Sequence, residues 1–359
     1  MAYTAIDDPT QYFNTVLYTG NGANGHGITG VGFQPDWVWL KSRANTESHW
    51  VGDSVRGANL RLQPNESNAE FDTTSNSYPG VSAFDSDGFT VGRSDAANAN
   101  NQSMVAWNWR AGGSASSNTT GSIDSSVSAN TDAGFSIVTY TGTGSNATVG
   151  HGLGSSGRFT MLLKNRSISR NWAVFHPELE TTESLRIDVN GAKLTGRTGD
   201  WNSTAPTSTV FSVGTEPATN GSGNNMVAYV FREIKGYSKF GSYTGNGTGS
   251  FGPFAGGTFV YTGFKPAWLM IKRTDGANGW TIFDSVRDPF NIVGNQLSAD
   301  SNSAEEGDAS HHAERDFLAN GFKLKGNGND VNADGANYVY MAFAEQPFVS
   351  SNGVPTTAR

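Results

Sequence analysis

The sequence predicts an all-β protein of tandem antiparallel β-sandwich modules, jelly-roll-like in arrangement, in three diverged copies. Three observations carry that prediction: short aromatic-rich segments, glycine-rich turns between them, and an internal pattern that returns at fixed spacing. Of 359 residues 45 are Gly, with 21 Phe, 11 Tyr and 9 Trp, a composition that suits many short strands joined by tight turns. No stretch carries apolar residues at i, i+3, i+4 and i+7 long enough to found a helix of several turns.

The repeat is clearest between the first and last thirds. Tyr18-Thr19-Gly20-Asn21-Gly22 returns as Tyr243-Thr244-Gly245-Asn246-Gly247, and Asp53-Ser54-Val55-Arg56 as Asp284-Ser285-Val286-Arg287. Phe33 to Phe264 and Asp53 to Asp284 share one offset of 231, which chance does not readily produce. The middle third keeps the spacing with fewer identities: Tyr18, Trp50 and Ala106 map onto Tyr140, Trp172 and Ala228 at an offset of 122. The boundaries that follow are modules at 1–110, 134–235 and 236–348, a polar tail at 349–359, and between the first two modules a segment, 111–133. That segment contains no aromatic residue, and Asp124 and Asp132 are its charges. Such a composition predicts a flexible linker or an extended strap.

Within the first module the pattern predicts strands at 13–18, 27–33, 37–41, 49–53, 60–62, 81–84, 88–92 and 104–110, with Gly-Asn-Gly and Asp-Gly pairs turning the chain. Trp37-Val38-Trp39-Leu40, Met161-Leu162-Leu163 and Trp268-Leu269-Met270-Ile271 are apolar at consecutive positions. A half-solvated strand alternates, so these strands need cover on both faces. Neighbouring copies or neighbouring chains must provide it, and the expectation is an assembly, a homo-oligomer with a trimer foremost.

The formal charge is −8 and there is no Cys. No basic stripe gathers phosphates, so nucleic acid is not an expected partner, and disulfides and thiolate metal sites are excluded. The segment Met1 to Asp8 lacks the basic start and apolar core of a secretory leader, and the apolar runs are too short to span a bilayer. A soluble chain without a membrane partner is expected.

Motifs with chemical meaning mostly fail their context. Gly20-Asn21-Gly22-Ala23-Asn24-Gly25 fits G-x-G-x-x-G, but His26-Gly27-Ile28-Thr29-Gly30 follows where a nucleotide site needs a helix, so it reads as a turn. Asp330, Asn332 and Asp334 in Asp-x-Asn-x-Asp-Gly copy the first half of a calcium loop, while Met341 stands where the bidentate Glu belongs. Calcium on these three residues is the candidate cofactor, against an Asn-rich turn like those at 98–101 and 220–225. His26 and His151 occupy matching turns and His311-His312 an acidic loop, without zinc-site spacing. Glu66, Glu70, Glu305, Glu306 and Glu314 read as solvated loop charges rather than a glycosidase pair. The Asp53–Arg56 and Asp284–Arg287 repeats read as ion pairs fixing a turn, with a catalytic pair as the alternative. Trp201 and Tyr78, each set among turn residues, are the candidates for stacking on a glycan, against a role as half-buried plugs.

Three stretches carry a family resemblance: 236–247, Gly263-Phe264-Lys265-Pro266-Ala267-Trp268, and Tyr338-Val339-Tyr340-Met341-Ala342-Phe343-Ala344-Glu345. They resemble a family of uncharacterised virion proteins of tailed bacteriophages, especially phages of marine bacteria and cyanobacteria. Residues 32–41 look like the same family's first copy. The resemblance implies a virion location and concanavalin-like sandwich modules, and it brings no catalytic residue. The function expected is a non-enzymatic structural protein of the particle's exterior, a tail fibre, spike or appendage subunit or a capsid decoration protein, contacting other virion proteins and host surface glycans. The alternatives are an array of carbohydrate-binding modules and a polysaccharide depolymerase.

Overall fold

The computed structural model describes residues 3–74, 78–248, 256–307 and 314–356. It is nearly all antiparallel β, as the composition requires, and its α-helices, such as Asp95–Asn98 and Pro217–Asn220, are four residues long. Three larger sheets share one strand order. In the first, Phe13–Thr19 pairs with Ser103–Trp109, then Trp37–Ser42, then Trp50–Asp53. In the second the same order runs Phe135–Thr141, Asn225–Arg232, Phe159–Asn165, Ala173–Phe175. In the third it runs Ser238–Thr244, Asn337–Pro347, Phe264–Arg273, Trp280–Asp284. A smaller sheet completes each sandwich: His26–Thr29, Gly88–Val91 and Val81–Asp85 in the first module, Ala147–Gly150 with Val210–Val213 in the second, and Phe259–Tyr261, Gly321–Leu324 and Arg315–Leu318 in the third.

Side-chain alternation explains the consecutive apolar residues. Val38, Leu40 and Ala106 face their own small sheet, meeting Ile28 and Phe89, whereas Trp37, Trp39, Trp107 and Trp109 face the other way, into a core common to all three modules. Leu162, Tyr229 and Phe231 enter that core from the second sheet, and Trp268, Met270, Met341 and Phe343 from the third. Successive residues on a strand point to opposite faces, so each central strand is apolar on both. The rings interlock: Trp37 stacks on Tyr229 at 4.6 Å between centroids, and Trp109 meets Trp268 edge-on at 5.6 Å. The cover is therefore internal. These strands do not call for a neighbouring chain, and the argument that led from them to a homotrimer loses its premise.

The eight strand positions expected in the first module are all occupied, with ends shifted by a few residues, and a two-stranded ribbon adds Phe71–Asp72 to Leu60–Arg61. The segment 111–133 is a correction. It is neither a linker nor a loose strap: Ser116–Asn118 and Ser125–Asn130 form a hairpin that extends the second sheet beside Phe135–Thr141. Hydrogen bonds from small polar side chains do what bulky residues do elsewhere. Ser125 donates to the Gly150 carbonyl at 3.1 Å, and the Gly112 amide donates to Ser128 at 3.0 Å. The polar tail folds back as well, with the Ser351 amide donating to Asp7 at 2.7 Å. No helix among the described residues is long and apolar enough to cross a membrane.

Candidate functional site

The residues singled out in the sequence part company in the structure. Trp201 ends the short helix Thr198–Trp201 and is wholly buried, edge-on to Phe175 at 5.6 Å inside the second sandwich. It is a core plug, and its place as a glycan candidate is withdrawn. Tyr78 is exposed, with the Arg93 guanidinium over its ring at 5.5 Å, so a cation already occupies one face.

The calcium reading is corrected too. Asn332 is fully buried, and its amide is committed to the chain: Oδ1 accepts from the Asn246 amide at 3.1 Å, and Nδ2 donates to Asn246 Oδ1 at 3.1 Å and to the Gly326 carbonyl at 3.0 Å. Asp334 points to solvent, and no group of three acidic or His side chains suited to a metal occurs among the described residues. Asn98 and Asn220 do the same work in the other modules, accepting from the Asn21 and Thr143 amides at 2.9 and 2.8 Å. A tyrosine hydroxyl then bonds the carbonyl just before each Asn, Tyr18 to Ala97, Tyr140 to Thr219 and Tyr243 to Val331. The G-x-G-x-x-G stretch belongs to this knot, and a Cβ on Gly20 would lie 2.2 Å from the Ala99 carbonyl oxygen. It is a turn. His26 and His151 bond Asn98 and the Thr207 carbonyl respectively, and His311 and His312 lie outside the described residues.

The repeated charges sit between modules. Asp53 accepts from the Val55 and Arg56 amides and from Arg56 Nε at 2.5 Å, fixing the turn as expected. Arg56 reaches on to Glu70, and Glu70 takes Arg166 of the second module through both carboxylate oxygens at 2.8 and 2.9 Å. Burial opposes the Glu70 charge, but hydrogen bonds from Arg166 and Arg56 overcome it and hold the carboxyl below its ordinary value. The third module repeats this chain toward the first, Asp284–Arg287–Glu305–Arg43. Glu70 and Glu305 are thus ion-paired at module junctions, not solvated loop charges. Between the second and third modules, His176 Nε2 donates to the Tyr340 carbonyl at 3.1 Å and Trp280 Nε1 to the Arg186 carbonyl at 2.8 Å. Lys164 and Lys272, both buried, donate across junctions to the carbonyls of Ser67 and Asn190 at 2.8 and 2.9 Å, and burial holds each ammonium down to about 8.

Among the clefts of the described residues, one of about 390 Å³ beside the second-to-third junction is flanked by exposed aromatic side chains. Tyr3 and Tyr261 line it, 61% and 56% exposed. The lining also includes Arg158, Glu233 and Lys239, with Lys239 Nζ 3.1 Å from Glu233 and Arg158 donating to the Phe240 carbonyl at 3.0 Å. Sequence reasoning passed over both tyrosines. The signal was available: the first module has Thr29 where the third has Tyr261.

Residues 8–347 match the domain family described as Domain of unknown function (DUF7483). The chain belongs to this family. The match runs from the 3-10 turn Pro9–Gln11 to the last residue of the strand Asn337–Pro347, so the DUF7483 unit is the whole three-sheet body with its shared core rather than one sandwich. Comparison with curated proteins and with solved structures gave no match.

Proposed function

We propose that this DUF7483 protein is a non-enzymatic structural component of the exterior of a tailed bacteriophage particle, in an appendage or as a capsid decoration, with loops available to host surface glycans. The observation that carries the reading is the common core. Three sheets bury Trp37, Trp109, Tyr229, Trp268 and Phe343 against one another, and ion-paired or hydrogen-bonded groups lock each junction. A block of that kind joins three sheets of like strand order within one chain, which suits attachment at a symmetric position on a particle. The sequence resemblance to virion proteins supports the location. Two of the glutamates that a depolymerase could draw on are engaged in ion pairs, Glu70 with Arg56 and Arg166, Glu305 with Arg43 and Arg287.

A mass-spectrometric census of purified particles tests this. The expected result is the chain at a fixed copy number, hundreds for decoration and tens or fewer for an appendage. Its absence from washed particles would overturn the proposal. The second reading, a carbohydrate-binding array without virion attachment, draws on the tyrosine-flanked cleft and predicts glycan affinity with no chain in the particle.

A further inference from the structure

The third module carries aromatic side chains that its architecture does not need. In its small sheet Val260 pairs with Phe322 and Tyr261 with Gly321. Val260 and Phe322 are buried, while Phe259 and Tyr261 on either side of Val260 face solvent at 46% and 56% exposure. The first module forms the same pairs with Ile28 opposite Phe89 and Thr29 opposite Gly88, and the second with Val149 opposite Phe211 and Gly150 opposite Val210. The buried position is apolar every time. The flanking positions hold exposed Gly27 and Thr29 in the first module, and Thr148 and a buried Gly150 in the second, so neither sister sandwich needs aromatic rings there. Water-exposed aromatic surface on an edge strand is unfavourable and invites association.

Their surroundings say what they face. The Tyr261 ring lies along Gly263, where a Cβ would come within 3.5 Å of the phenol oxygen, so the ring rests against bare backbone and still stays more than half exposed. Tyr3 lines the same cleft. The lining also holds charged donors and an acceptor already oriented by one another: Lys239 on Glu233, and Arg158 on Glu233 and on Glu178. Lys235 also lines the cleft, so three cations stand against Glu233 and, outside the lining, Glu178 in a chain of net charge −8. An apolar small molecule would need an enclosed greasy pocket. A saccharide needs the opposite: a flat ring for its C–H face, fixed polar groups for the hydroxyls around its edge, and an open-sided groove for a chain that continues in both directions.

We propose that the cleft lined by Tyr3 and Tyr261 binds a saccharide chain, and that its excess of cations selects an acidic one. This rests on the glycan-contacting part of the function proposed above and gives it a site. The test is isothermal titration of the full chain with oligogalacturonate, sialyllactose and, as the neutral probe, maltohexaose. An acidic probe is expected to bind, with Tyr261→Ala weakening it about tenfold or more at an unchanged melting temperature. Lys239→Gln is expected to weaken it less and to flatten its salt dependence. Phe71→Ala, which removes an exposed aromatic elsewhere, should leave binding intact. Binding of maltohexaose as tight as that of the acidic probes, and lost in Tyr261→Ala, would overturn the charge selection and retain the saccharide site. No binding of any probe, or wild-type binding by Tyr261→Ala, would sink the proposal. Particles that contain a chain blind to all three would separate failure of this site from failure of the virion assignment.

Discussion

The Tyr229 hydroxyl, in the second module, donates to Asp53 Oδ2 of the first at 2.6 Å, and both side chains are fully buried. The third module makes the matching bond to the first, with Trp107 Nε1 donating to Asp284 at 3.0 Å. Asp53 therefore joins two tasks, neutralising Arg56 and holding a neighbouring sheet. Asp53→Asn leaves the buried Arg56 guanidinium with Glu70 as its remaining charged partner, and the expected loss is about 3 kcal/mol, the low end for a broken buried pair. Tyr229→Phe removes one hydrogen bond to a charged group and should cost about 1.5–3 kcal/mol. Urea unfolding of both single variants and the double variant should give a double loss smaller than the sum, because the two side chains share one interaction. Strict additivity would mean that the bond does not couple the modules.

Acid should loosen the junctions before it titrates their carboxylates. His49 accepts from Trp39 Nε1 at 2.8 Å on Nδ1 and faces the Ser298 and Ser301 carbonyls on Nε2, an arrangement that fits a neutral ring with its proton on Nε2. Burial, with the Lys41 charge in support, holds His49 down to about 3, and burial holds His176 down to about 4. A group whose folded value lies below its unfolded value of about 6.5 contributes fully above that pH and loses the contribution as pH falls toward the folded value. Stability should thus begin to drop near pH 6.5, at up to about 2.7 kcal/mol per pH unit for the two rings together. The diagnostic window is pH 6.5 to 5, above the ordinary carboxylate range. Paired substitution His49→Gln and His176→Gln should flatten the slope of stability against pH in that window. An unchanged slope would place the acid sensitivity elsewhere.

Trp201 and Asn332 separate a structural role from a ligand role. Trp201→Ala empties a closed site against Phe175 and should cost about 3–5 kcal/mol, lowering the melting temperature without a selective effect on saccharide binding. Asn332→Ala strips the turn of its acceptor and both of its donors and should also destabilise, by about 1–3 kcal/mol for the buried groups left unpaired. Addition of calcium or of EDTA to the wild-type chain should leave the melting temperature where it was. A rise with calcium that Asn332→Ala abolishes would restore the calcium reading.

The fold was legible where strands were apolar at successive positions, because burial on both faces leaves no other pattern. Trp37-Val38-Trp39-Leu40 announced two covers, and the structure assigns them: the module's own small sheet for Val38 and Leu40, the sister sheets for the tryptophans. Legibility failed where polar residues are buried by satisfying one another. The strand Ser125–Asn130 has no bulky side chain except Val127 and keeps its place through backbone pairing and serine hydroxyls, so composition made it a linker. Glu70 and Glu305 looked solvated because their partners, Arg166 and Arg43, come from other modules. Trp201 misled in the opposite sense, since Gly199-Asp200 before it and Asn202-Ser203 after it are turn residues that fold a plug inward. Buried Asp200 takes Arg186 at 2.8 Å, a pairing that spacing alone does not show.

Because the central core draws on all three sheets, the modules should not unfold one at a time. A chain of independent sandwiches would melt in steps, and each piece would survive excision. Here a module cut free would expose the face that now meets its sisters, Trp268, Met270, Met341 and Phe343 in the third, and would lose the Trp280 bond to Arg186 and the Glu305 bond to Arg43. Calorimetry of the full chain should show one transition whose calorimetric and van't Hoff enthalpies agree. The fragment 236–348 should bind a hydrophobic dye, lack near-ultraviolet dichroism and aggregate. Replacing Trp268 with Ala in the full chain should shift the whole transition downward rather than split off a third of it. Separate transitions, or a fragment that is monomeric with native aromatic dichroism, would show that the shared core does not bind the modules into one cooperative unit.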